Sequence, residues 1–237
     1  QGVQTPPRWQ IVKIGEPTAL THSYTNYIKA SPDTLFRYSG IAEKYQNALP
    51  SYPANVRDYY YVDRTILINT NLPDLGEWNS SLQTLNGELG KKKQVNAIIV
   101  IAQDLPEEYF YGLQQHWIGG KINDAILVLG TSKDNTIQWV GVMAWTDHPI
   151  FKVRLKDDIL SLKTLQREKI FEVLRTNIDQ LYVRKHMADF KYLQASITPT
   201  KGQWIFALIL GLLISIGLSY WVVTEDIFAE EYSRYRW

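Results

Sequence analysis

The sequence predicts an α/β three-layer sandwich with a mostly parallel central sheet, followed by one C-terminal transmembrane helix. Three observations carry that prediction. Strand-like and helix-like patterns alternate between Tyr59 and Ala144. Val95 to Ala102 (VNAIIVIA) is apolar almost throughout, as a strand covered on both faces must be. From Gln203 to Val223 the chain carries no charge.

Residues 1–55 are rich in Pro, Ser, Thr and Tyr and read as an N-terminal extension, not a separate domain. Within them SPDTLFRYSGIAEKYQNAL, from Ser31, has the marks of a helix. Ser31 can cap it, Pro32 suits its first turn and Asp33 complements the positive end of the dipole. Residues 56–186 form the α/β domain. Tyr59 to Ile68 is β-prone. Pro73 to Lys93 reads as a helix with Leu75, Trp78, Leu82, Leu85 and Leu89 on one face at spacings of three and four. Lys91, Lys92 and Lys93 then complement the negative end of its dipole.

Val95 to Ala102 is the next strand. Pro106, Glu107 and Glu108 open a second helix that ends near Trp117, and Gly119-Gly120 makes the turn. Ala125 to Leu129 and Ile137 to Ala144 are two further strands joined by a polar loop. Asp157 to about His186 is predicted as one long amphipathic helix. Its stripe is Ile159, Leu162, Leu165, Ile170, Val173, Leu174, Ile178 and Leu181. Residues 187–202 connect the domain to the transmembrane helix at 203–223, and 224–237 form a short tail.

At ~1.5 Å per residue, the stretch from Gln203 to Val223 spans about 30 Å, the thickness of a hydrocarbon core. Twelve of its residues are Leu, Ile, Val or Phe. These favour insertion by roughly 4–7 kcal/mol before the cost of Gly and Ser. Trp204 at one end, with Tyr220 and Trp221 at the other, sit where interfacial aromatic belts form. Ala207, Gly211, Ser215 and Ser219 recur every fourth residue and line one face. Small residues so placed let another helix approach, and the serines can hydrogen-bond across the contact. The expected partners are membrane lipid and one or more transmembrane subunits, or a second copy of the chain.

Lys191 and Lys201 before the span balance Arg234 and Arg236 after it, so the positive-inside count does not set orientation. The first residue is Gln1 and not Met, as in a mature chain after signal-peptide removal or in a fragment; the expectation is cleavage, with the soluble domain periplasmic, luminal or otherwise extracytoplasmic.

Composition excludes several function classes. With 25 basic and 24 acidic residues the net charge is +1, which offers no field for collecting nucleic acid. Cysteine is absent, which removes thiol nucleophiles, disulfides and thiolate zinc sites.

Two stretches carry a family resemblance. One is Val62-Asp63 followed by a strand, a Leu-rich helix and VNAIIVIA. The other is HWIGGKINDAILVLG, in which a helix ends in a glycine turn and enters a strand through Asn or Asp. Over residues 58–185 this order is similar to the TPM-domain family. That family includes thylakoid-lumen proteins of photosystem II repair, a regulator of nematode acetylcholine receptors and many exported bacterial proteins. The resemblance implies the same α/β fold, and for some members phosphatase activity or calcium binding near acidic loops. This chain departs from the pattern where those groups gather. Met143 to Pro149 replaces a glycine-rich turn, and Ala125 follows Asp124 where the family has Gly.

Asp63, Asp104 and Asp124 lie near strand ends, where side chains of a parallel sheet can converge. Asp63 and Asp124 are the candidate ligands for Ca²⁺ or Mg²⁺, since hard cations take carboxylate oxygens; no other cofactor is expected. His22, His116, His148 and His186 share no ligand spacing, and no nucleophile motif accompanies Asp147-His148. Asn79-Ser80-Ser81 matches a glycosylation sequon but falls in a predicted helix. The expectation is a membrane-anchored, non-enzymatic accessory or assembly subunit of a larger membrane complex. The alternative is a membrane-bound, metal-dependent phosphatase-like hydrolase.

Overall fold

Four strands lie side by side in the order β1-β2-β3-β4 in the computed structural model, which describes residues 26–30, 40–53, 63–197 and 199–225. They are β1 (Thr65–Ile68), β2 (Asn96–Gln103), β3 (Asp124–Thr131) and β4 (Ile137–Ala144). β1, β2 and β3 run parallel, with Thr65 opposite Ile99 and Asn96 opposite Asp124, and β4 returns antiparallel to β3. The chain divides into two units, residues 1–194 and 195–237.

The first unit is the predicted three-layer sandwich. Because side chains alternate along a strand, each central strand feeds two cores. Ala97, Ile99 and Ile101, with Ala125, Leu127 and Leu129, face α1 (Leu75–Lys93), α3 (Ile150–Ser161) and α4 (Arg167–Leu181). Ile98, Val100 and Ala102, with Ile126 and Val128, face α2 (Glu108–His116). All eight residues of β3 are buried. Burying a Leu or Ile contributes about 1.5–3 kcal/mol relative to exposure, so these runs hold the sheet between its helical layers.

On α1 the apolar face is Trp78, Leu82, Leu85 and Leu89, all buried, with Leu75 partly covered, as its periodicity predicts. Two asparagines share that face. Asn79 Oδ1 accepts from Thr65 N at 3.0 Å. Asn86 Oδ1 accepts from Ala97 N at 2.6 Å while its Nδ2 donates to Ala97 O at 3.0 Å. They satisfy backbone groups where β1 and β2 begin, which would otherwise be buried without partners. The sequon asparagine is thus a buried structural residue. The lysine triplet does more than meet the dipole: Lys92 pairs with Asp179 at 2.6 Å and Lys93 Nζ donates to Tyr182 O at 3.4 Å, tying α1 to α4.

The single long helix expected from Asp157 to His186 is corrected to two. α3 begins earlier, directly after Pro149, and stops at Ser161; α4 runs from Arg167 to Leu181. Between them Lys163 takes φ +62°, which ends the helical path. The freed backbone pairs with the β3–β4 connection: Ile137 N donates to Lys163 O at 2.8 Å and Leu165 N to Asn135 O at 2.9 Å. The apolar stripe hides the break because Leu162 and Leu165 still pack against the core.

β1 is shorter than its expected run of residues 59–68, and 59–62 lie outside the described residues. The helix expected from Ser31 falls partly outside them too. Its described portion is a single turn, Ile41–Lys44, and a 3-10 turn, Gln46–Ala48. A 3-10 helix, Met187–Ser196, follows α4 and buries Phe190 and Leu193 against Ile28 and Ile122.

The second unit contains α5 (Lys201–Thr224), an apolar helix of 24 residues long enough to cross a bilayer.

Candidate functional site

Two places hold the residues singled out from sequence: the edge of the sheet where the parallel strands begin, and α5.

At the sheet edge, α2 ends at His116 and the chain reverses through Ile118, Gly119 and Gly120, which take φ of 52°, 68° and 81°. Gly120 is required twice over. Its φ disfavours a side chain, and a Cβ there would lie 2.8 Å from Ile126 Cδ1 and 2.9 Å from Asp124 Oδ2. That turn delivers Asp124 to the first position of β3, where it is fully buried. Its carboxylate accepts from Asn96 Nδ2 at 2.8 Å, from Lys121 N at 2.7 Å and from Tyr52 OH at 2.7 Å. Burial pushes the Asp124 carboxyl above the usual carboxylate range, and these three donors oppose the shift.

Tyr52 belongs to the N-terminal extension, so Asp124 also fastens residues 40–53 to the domain. Other contacts repeat the pattern. Trp117 Nε1 donates to Pro50 O at 2.8 Å, Tyr109 OH to Ala48 O at 2.9 Å, and Lys44 pairs with Glu108. The Tyr52 ring stands edge-on to Trp117 at 5.5 Å, and Lys121 Nζ lies 4.9 Å from the centre of the Tyr52 ring.

The other predicted ligand, Asp63, and the strand-end Asp104 lie apart from Asp124. Asp63 is exposed ahead of β1, with β2 between β1 and β3. Asp104 lies beyond the other end of β2, exposed, 3.9 Å from Lys133. Among the described residues no group of three or more His, Asp or Glu side chains is gathered in one place. His148 and His186 are exposed, and His22 lies outside the described residues. The acidic start of α2 is engaged in ion pairs, with Glu107 at 3.0 Å from Lys156 as well as Glu108 on Lys44.

α5 opens with a capping box. Gln203 N donates to Thr200 Oγ1 at 3.3 Å and Thr200 N to Gln203 Oε1 at 2.8 Å. At its other end Thr224 Oγ1 donates to Tyr220 O at 2.9 Å. Ala207, Gly211, Ser215 and Ser219 are all exposed, and a Cβ on Gly211 would meet nothing within 4 Å. Trp204, Tyr220 and Trp221 are exposed as well. They stand about 24–26 Å apart along the axis at ~1.5 Å per residue.

Sequence reasoning missed Tyr52, Asn96 and the Asn79–Asn86 pair. A polar residue recurring after seven positions within the apolar stripe of α1 was the one available signal. No family model, no curated protein and no solved structure matches this chain.

Proposed function

We propose that this chain is a membrane-anchored, non-enzymatic accessory or assembly subunit of a larger membrane complex. The observation that carries the reading is α5, whose small-residue face finds no neighbour within the described chain. In lipid the hydrophobic effect does not drive helices together, so close packing and interhelical hydrogen bonds decide association, and Gly211 with Ser215 offers both. The sheet edge is consistent with that reading, since the buried Asp124 carboxylate accepts from Tyr52, Asn96 and Lys121 within the chain itself.

The resemblance to a family with many exported members supports placing the α/β domain outside the cytoplasm. A membrane-impermeant maleimide applied to intact cells should label a Lys133→Cys variant. Labelling only after lysis would reverse that orientation.

Purification in mild detergent tests the central reading. The wild-type chain should bring down a stoichiometric transmembrane subunit, and Gly211→Leu with Ser215→Leu should release it while the domain melts at an unchanged temperature. A chain that runs alone and monomeric in every mild detergent would defeat the proposal. Self-association sensitive to the same pair of substitutions would identify a second copy as the partner.

A further inference from the structure

Exposed apolar side chains are not spread evenly over the first unit. Among its described residues, the large ones left exposed are Tyr111, Ile150, Val153, Val183 and Tyr192. Ile150, Val183 and Tyr192 belong to the end of the domain where β4 finishes and α3 begins, and Val153, about one turn along α3, borders a groove beside β4 that it shares with Tyr111. Asp147 N donates to Val183 O at 3.1 Å, so Val183 sits beside the approach to α3. The Phe151 and Tyr182 rings, immediate chain neighbours of Ile150 and Val183, stand 5.4 Å apart. Trp145 meets Phe190 at 5.0 Å, and Phe190 anchors the 3-10 helix that carries Tyr192.

Cations share this end. Lys152 and Arg154 are exposed on the first turns of α3, and Lys191 is exposed next to Tyr192. The nearby acids are engaged: Asp147 lies 3.8 Å from Lys185, and Asp189 accepts from His186 N at 2.9 Å. Asp157 and Asp158 come later on α3, and Asp158 accepts from Asn177 at 2.9 Å. Exposed apolar side chains, from 40% at Val183 to 65% at Tyr192, flanked by lysine and arginine, are the composition of an interfacial surface.

Chain length supplies the second argument. Leu193 is buried in the domain and Lys201 begins the apolar helix. The residues between them can extend no more than about 30 Å. The 3-10 helix that carries Tyr192 is therefore also the element from which the chain departs towards α5. A weak surface affinity then acts at high effective concentration.

We propose that this end of the domain docks on the bilayer surface. Ile150, Val153, Val183 and Tyr192 enter the headgroup region, and Lys152, Arg154 and Lys191 face anionic lipid headgroups. The inference rests on α5 being a membrane span.

The native chain has no cysteine, so single labels can be placed in the full-length protein. Val153→Cys, Lys133→Cys and Leu212→Cys would each carry an environment-sensitive fluorophore. The chains would be reconstituted in phosphatidylcholine vesicles with or without one-third phosphatidylglycerol, with a lipid-borne quencher. Val153→Cys should be quenched and blue-shifted, and Lys133→Cys, in the loop at the opposite end of the sheet, should not. Adding Lys152→Glu and Arg154→Glu should lower the docked-to-free ratio in anionic vesicles by about thirtyfold or more, as expected for cations at a charged surface. Equal quenching at Val153 and Lys133 would overturn the proposal, as would docking insensitive to the charge reversal. Leu212→Cys reports the span itself: quenching there without quenching at Val153 rejects docking alone, and no quenching at either rejects the span as well.

Discussion

Gly130 in β3 and Gly211 in α5 illustrate how differently the two units are held. A Cβ on Gly130 would fall inside the Trp139 ring, which packs over that backbone and donates through Nε1 to Leu105 O at 2.7 Å. A Cβ on Gly211 would meet nothing within 4 Å. The first glycine exists because another part of the same chain occupies the space above it. The second leaves space that no described residue fills. The α/β domain supplies its own packing partners, whereas α5 is an exposed apolar helix, and on the reading proposed above its partners are lipid or another helix.

Four experiments would break or sharpen that contrast. The largest effect belongs to Gly130→Ala, which has to dislodge a ring pinned by a hydrogen bond. It should cost about 3 kcal/mol, at the upper end for overpacking, and lower the melting temperature by roughly 6–12 °C by near-ultraviolet circular dichroism. An unchanged melting temperature would mean that Trp139 moves freely. Asn86→Ala comes next. It strands both the N–H and the C=O of Ala97, so denaturant titration should show a loss of about 2 kcal/mol even after the helix propensity gained with alanine. No loss would imply that water reaches the start of β2.

Asp124→Asn should change stability by less than about 1 kcal/mol at neutral pH, with a pH dependence of defined sign. Burial raises the carboxyl in the folded state above its unfolded value. Its contribution is therefore fully present below the unfolded value and is lost as pH rises through the folded one. Relative to Asp124→Asn, the wild type should gain stability as pH falls through that raised value towards the unfolded one. A gain in the opposite direction, read from paired denaturant titrations, would show that the three donors outweigh desolvation. The smallest effect on the domain belongs to Gly211→Leu, expected within about 0.5 kcal/mol by the same titration. A larger loss would mean that the domain depends on α5.

The strands of the sandwich were legible because burial on two faces imposes an unbroken apolar run, and β2 and β3 have one each. The face of α1 was legible from spacing alone. The division between α3 and α4 was not. Residues 150–181 contain no Gly and no Pro after the start, and Leu162 and Leu165 keep the stripe continuous across the gap. What ends α3 is pairing of residues 163–165 with residues 135–137, a contact between segments separated in sequence.

Asp124 shows the same limit at the candidate site. An aspartate entering a strand after a glycine turn reads alike whether it awaits a cation or closes an internal network. Its partners Tyr52 and Asn96 lie 72 and 28 residues away, and only folding brings them to it. Docking of residues 40–53 through Tyr45, Ala48, Pro50 and Tyr52 was hidden for the same reason, because aromatic extensions carry no period that points to the surface they cover.

By itself, then, the sequence determined the features that are properties of one segment in one solvent. These are the long uncharged apolar stretch that became α5, the apolar runs of β2 and β3, and the amphipathic face of α1. Tertiary structure alone decided where one helix became two, which asparagines entered the core, and that Asp124 fastens the N-terminal extension. Periodicity records the average environment of a segment, whereas a hydrogen bond records one particular partner, and partners distant in sequence leave no local trace.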